Sequence, residues 1–239
     1  MEASKKDNVF PIYLVTSKSQ HKLAMTFVRF QEHFESPEFA GKVFTLEEFA
    51  DWYASQHDDF FSYSDDWGGF NVPSWVVDKF RAGLFDPLSQ KEKHFLDLTN
   101  VTGRAYFIGM STAKGIKIGT LRHEVVHGLQ YVGPRDFNNV VNGYVVSSWK
   151  DSVFSKDWEK LFKKLRAMGY DNNVLVDEAI AYLTTGLAGE LNGLSIKFVK
   201  ITRDKLRAHF KEHFGFSIHR ADAVDILNRI HIINLDSAA

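Results

Sequence analysis

The ten residues from Thr120 to Leu129, Thr-Leu-Arg-His-Glu-Val-Val-His-Gly-Leu, hold H-E-x-x-H in an apolar run with no proline. On a helix, positions i and i+4 share a face one turn apart. His123 and His127 can then offer two imidazoles to one cation. Glu124 stands beside the first of them, where its carboxylate reaches a water on the cation rather than the cation itself. That pattern suits metal-assisted hydrolysis, in which a zinc ion acidifies water and polarises a carbonyl while the carboxylate takes the proton. Leu121, Val125, Val126 and Leu129 are apolar, so the helix expects burial. The plainer alternative is a helix whose two histidines are satisfied in a core or exposed to solvent. A third ligand decides between them.

The chain has 239 residues, enough for one domain or two lobes around a cleft. We read residues 1–239 as one domain. An N-terminal lobe spans about 1–119, the active-site helix 120–132 and a helical C-terminal lobe 133–239. Hydrophobic residues make up 44% and charged residues 25%, proportions that supply a full core, with phenylalanine abundant at 21. A net charge of −1 gives no bulk electrostatic case for nucleic acid or an anionic membrane as partner. Cysteine is absent, so a metal site must draw on His, Asp, Glu or water. Deformylase-type hydrolases resemble this chain in H-E-x-x-H but take a cysteine as third ligand, which the composition excludes. After Met1–Asn8 the apolar run Val9–Val15 is too short for a signal segment. Nothing approaches a membrane span, and a cytoplasmic location is expected.

Along the chain, Val9–Val15 reads as a strand, with Pro11 marking an edge or a start. Leu23, Phe27, Phe30 and Phe34 follow at helical spacing, and Thr45-Leu46-Glu47-Glu48 is a capping box. Phe60–Pro73 crowds aromatics around Gly68-Gly69 without a period. It reads as a packed loop, or alternatively as the wall of a cleft. Ala105–Met110 is a strand, and Ile116–Ile118 a second short one. Phe137–Trp149 is ambiguous. Asp151–Met168 and Val174–Thr185 are helical, as are stretches near Thr202–Phe214 and His219–Ile230. Lysines and arginines make the C-terminal part basic, which reads as a solvated face.

Downstream of His127, Glu178 is the strongest third-ligand candidate. It sits in Asp177-Glu178-Ala179-Ile180-Ala181-Tyr182, where Ala179 and Ala181 are small enough to admit another helix closely. A carboxylate in such company is costly unless paired or metal-bound. Glu159 lies on a lysine-rich helix, Glu190 in a glycine-bounded loop, and Asp177 fits a helix-dipole role.

With these residues in place, the sequence resembles the gluzincin metallopeptidases. In that family an H-E-x-x-H helix is joined by a downstream helix carrying Glu, often as E-x-x-A. Here the matching residues are His123-Glu124-Val125-Val126-His127 and Glu178-Ala179-Ile180-Ala181. The wording is also similar to that of small phage and bacterial zincins. The resemblance covers roughly 119–131 and 174–186. It implies an α+β, helix-dominated zincin-like fold, with a small N-terminal sheet and a mostly helical C-terminal half around a cleft. It implies one zinc ion per chain on His123, His127 and Glu178, with Glu124 as general base acting on a peptide or protein substrate. Many gluzincins carry Asp four residues after the ligand Glu. Tyr182 holds that position here, so the partner of the first histidine is unassigned. Tyr144, Tyr182, His219 and His231 are the candidates for stabilising an oxyanion. By analogy, Ala105–Met110 is the edge strand that receives an extended substrate. A catalytically silent zincin-like domain that binds a partner protein is the alternative, against which the intact Glu124 counts.

Overall fold

The computed structural model describes residues 9–186 and 189–237, with the side chain of Glu190 left out. Met1–Asn8 and the Glu190 carboxylate, both read above, therefore lie outside the described residues. The fold is α+β, with helices flanking a four-stranded mixed sheet. The strands are β1 (Ile12–Ser17), β2 (Phe70–Pro73), β3 (Tyr106–Ser111) and β4 (His231–Asn234). Their order is β2-β3-β1-β4. β1 runs parallel to both β3 and β4, and β2 runs antiparallel to β3.

Successive side chains of a strand point to opposite faces, and here the alternation feeds two separate cores. Ile12, Leu14, Tyr106, Ile108 and Met110 turn to one side. Val15, Ala105 and Phe107 turn to the other. The second core is built by α1 (Gln20–Glu35), α2 (Leu46–Gln56), α3 (Tyr63–Asp66), α4 (Ser74–Arg81) and α5 (Gln90–Leu98). Phenylalanine dominates it, with Phe27, Phe30, Phe49, Phe70, Phe80, Phe85, Phe95 and Phe107 fully buried. The predicted stripe on α1 is present, begun by Ser19, whose hydroxyl accepts from the Lys22 amide. The Thr45–Glu48 capping box also forms.

The first core belongs to α6 (Ile118–Val132), α7 (Arg135–Lys150), α8 (Ser155–Ala167), α9 (Leu175–Thr185), α10 (Ile196–Phe214) and the short α11 (Ala223–Leu227). Helix α6 lies close on the sheet because residue 128 is glycine. A Cβ there would come within 2.8 Å of Ile12 Cδ1 and 3.3 Å of Tyr106 Cδ1. Helix α9 packs on α6, and its small residues Ala179 and Ala181 are both fully buried. No helix among the described residues is long and apolar enough to cross a membrane.

Several expectations change. The sheet is not confined to the N-terminal part, because β4 comes from the end of the chain and pairs with β1. That pairing makes β1 an interior strand, and Pro11 stands just before it, where a missing N–H breaks no ladder. Ala105–Met110 is interior too, flanked by β1 and β2. Its main-chain groups are already paired, so it cannot receive a substrate strand. Ile116–Ile118 is not a strand; Ile118 opens α6. The ambiguous Phe137–Trp149 is helix, with Phe137, Val141, Val145 and Ser148 as its buried stripe. The helix expected from Thr202 begins earlier, at Ile196, with the Ser195 hydroxyl accepting from the Phe198 amide.

Candidate metal centre

Helices α6 and α9 cross with their polar residues facing one another. His123 and His127, one turn apart on α6, meet Glu178 from the first turn of α9. His127 and Glu178 are buried, and His123 is half-buried at the cleft floor. The separations are 3.1 Å from His123 Nε2 to His127 Nε2, 3.3 Å from His123 Nε2 to Glu178 Oε2, and 3.4 Å from His127 Nε2 to Glu178 Oε1. Among the described residues this is the one group of three or more metal-ligating side chains whose donor atoms converge. Ligand atoms bound at about 2.0–2.1 Å in a tetrahedron stand about 3.3–3.4 Å apart. The nearest pairs are close to that edge length, with the two histidines reaching different oxygens of Glu178.

Two further observations bear on whether these residues fit a cation. Glu178 Oε2 is buried and has no hydrogen-bond partner, although His123 Nε2 is near. A buried carboxylate oxygen left so is costly and needs a counter-charge. His127 Nδ1 lies 2.5 Å from Asp177 Oδ2. The carboxylate can only accept, so Nδ1 carries a proton, and Nε2 is the nitrogen turned to the cluster, where a cation can take the place of its proton. The residues present fit a zinc-like ion.

The electrostatics agree. Burial works against a charge on His127, but Asp177 and Glu178 outweigh it and pull its pKa up to about 10. The site therefore draws in positive charge. Burial also opposes ionisation of Glu178, yet His127, His123 and the Tyr170 hydroxyl together hold its carboxyl below the usual range. Glu124 is pushed up by burial and by Glu178, against the pull of the two histidines and Asn71. It lines the same cleft as His123 and Glu178, and its Oε2 accepts a hydrogen bond of 3.1 Å from Asn71 Nδ2.

The centre opens into a cleft of about 540 Å³ lined by Trp67, Gly68, Gly69, Thr120, Arg122 and Tyr182, among others. Part of Phe60–Pro73 is thus cleft wall, as its alternative reading held, while Tyr63 and Phe70 pack into the core. Of the four oxyanion candidates, Tyr182 alone lines the cleft, its ring centroid 4.4 Å from that of His123. Tyr144 packs into the helical core, and His219 is not in the cleft. His231 is on β4, the opposite edge of the sheet, stacked on Tyr13. Glu159 is exposed on α8.

Sequence reasoning gave Asp177 a helix-dipole role and gave Tyr170, Glu35 and Asn71 no role. Asp177 bonds His127, the task the resemblance assigned to position 182 and the first histidine. Its place beside Glu178, on the first turn of the same helix, was the available signal. Tyr170 supports the charge on Glu178, and its hydroxyl lies 3.1 Å from that of Tyr182. Glu35, at the end of α1, lines the cleft and is pushed well above the usual carboxylate range by burial and by Glu178. Asn71 reaches Glu124 from β2. No protein-family model, curated protein or solved structure matches this chain.

Proposed function

We propose that this chain is a zinc-dependent metallopeptidase of the gluzincin type, with a zincin-like form of the α+β fold. The observation that carries the reading is the convergence of His123, His127 and Glu178, whose nearest donor atoms lie 3.1–3.4 Å apart, with Glu178 Oε2 buried and without a hydrogen-bond partner. These three residues would hold the ion. Zinc bound there supplies Lewis-acid polarisation of a carbonyl and makes a water acidic near neutrality.

The remaining work falls to the chain. Glu124 accepts the proton of the attacking water and returns it to the departing amide nitrogen. Asp177 keeps the proton of His127 on Nδ1, fixing the ring and its tautomer. Tyr182, on the cleft wall beside His123, is the hydroxyl placed to donate to a developing oxyanion. The cleft walls from α6, α9 and Trp67–Asn71 would orient a peptide.

The test begins with zinc per chain in purified protein, for the wild type and Glu178→Ala. About one zinc in the wild type, bound more than about 100-fold more weakly in the variant, is expected, since losing a ligand should exceed the loss of a supporting residue. Glu124→Gln should keep its zinc and lose about 10²–10⁴-fold in hydrolysis of a peptide library. A wild type that takes up no zinc, or an active Glu124→Gln, overturns the reading.

A further inference from the structure

Strand β2 is the edge of the sheet nearest the cleft, yet all four of its residues are buried. Asn71 pairs with Ile108 in the register, so its side chain shares the face of Tyr106 and Ile108, toward α6. Three bonds hold it. Its main-chain N–H donates to Gln31 Oε1 at 3.1 Å, which stops the open edge of the strand. Its Oδ1 accepts from the Tyr106 hydroxyl at 2.7 Å. Its Nδ2 donates to Glu124 Oε2 at 3.1 Å.

The direction of the amide follows from chemistry. An ionised carboxylate only accepts, so the NH₂ end must face Glu124, and the carbonyl end then faces the phenol. Burial and the neighbouring acids push the Tyr106 phenol well above its usual range, so it remains a donor. A flipped amide would lose the bond to Glu124 and set two acceptors against each other. Oε2 of Glu124 is thereby tied, and Oε1 is the oxygen left for chemistry. Gly69, two residues earlier, keeps that oxygen's space open: a Cβ there would stand 3.1 Å from Oε1 and 3.1 Å from Thr120 Cγ2.

We propose that Asn71 is the positioning residue of the general base. Oriented by Tyr106 and anchored by Gln31, it holds one carboxylate oxygen of Glu124 while Gly69 leaves the other free to meet water. The proposal rests on the metallopeptidase reading for its kinetic consequences only. The hydrogen-bond chain fixes a side chain whatever the reaction.

The experiment uses zinc-loaded protein and measures kcat, KM and zinc content for Asn71→Ala, Tyr106→Phe and Gly69→Ala. Asn71→Ala should lower kcat about 10–100-fold with KM and zinc unchanged. Tyr106→Phe, which removes only the hydroxyl, should lower kcat by a lesser factor. Gly69→Ala should lower kcat without loss of zinc. Placed in Glu124→Gln, Asn71→Ala should cost nothing further, because its effect passes through that carboxylate. An equal loss in both backgrounds, or an unchanged kcat, overturns the proposal. If the zinc-loaded wild type hydrolyses nothing, the functional reading has failed. The positioning claim is then judged on the crystal structure of Asn71→Ala: a Glu124 carboxylate turned from its native rotamer supports it, and an unmoved one overturns it.

Discussion

The two faces of the sheet each bury acids, and they neutralise them differently. On the phenylalanine-rich face, Arg29 meets Glu92 in a double bond pair, Nε to Oε1 and a second guanidinium nitrogen to Oε2, each 2.7 Å. The same guanidinium also donates to the carbonyls of Phe44, Phe85 and Pro87. Both residues are almost wholly buried, and their charges cancel. Glu32, on the same helix as Arg29, has no such cation. It accepts from the Tyr63 hydroxyl at 2.7 Å, and burial pushes its pKa up to about 7. On the other face, Asp177, Glu178 and Glu124 crowd two imidazoles, with one carboxylate oxygen left unbonded. Burial of ions is therefore no mark of function by itself. A pair closed on itself holds a fold, whereas a cluster short of positive charge is a place for a cation.

Breaking the closed pair should have the largest effect. Arg29→Met strands the Glu92 carboxylate and should cost about 3–5 kcal/mol of stability, read by urea unfolding, with zinc affinity per folded molecule unchanged. Coupled loss of zinc affinity in the folded protein would erase the distinction between the faces.

Glu32 sharpens the comparison through pH. Its folded pKa lies above the unfolded value of 4.5, so the folded state holds the proton more tightly. Stability from this residue is intact below about pH 4.5 and is lost as pH rises through about 7. Glu32→Gln keeps an acceptor for Tyr63 and should remove that slope, gaining about 3 kcal/mol on the wild type between pH 4.5 and pH 8. Unfolding curves at several pH values that stay parallel would refute it.

The smallest effect belongs to Asp177→Asn. The amide can still face His127 but brings no charge and can present its NH₂. Zinc should bind about 10–100-fold more weakly, with the helix pair still folded. Competition with a chelator would measure it, and unchanged affinity would return Asp177 to the helix-dipole role its sequence position suggests.

How much of this was legible in the chain depends on where the constraint lies. The motif helix and Glu178 could be read because each rests on local spacing: two histidines one turn apart, and an acid among alanines. The phenylalanine stripe of α1 and the Thr45 box were equally local. Strand β2 gave no alternation, since Phe70, Asn71, Val72 and Pro73 are all buried. Strand β4 was hidden for the opposite reason: His231 and Ile232 are exposed, and only pairing with β1 makes a strand of them. Helix α7 carries Asn138, Asn139, Asn142 and Gly143, weak helix formers, and is held by one thin stripe. Asn71 and Asp177 carry their roles through partners distant in sequence, which no spacing rule reports.

The register of the sheet has a consequence for how the molecule is made. Tyr13 pairs with His231, almost the whole chain apart, and both helices of the candidate metal centre lie inside the loop that this pairing closes. Contacts of such long range are slow to form, because the closure entropy must be met before they give anything back. In order of synthesis, α6 and α9 precede β4 and touch each other without it. An ion arriving at that pair early would act as a clasp on the chain, holding two segments together while the far end of the polypeptide finds its place beside β1.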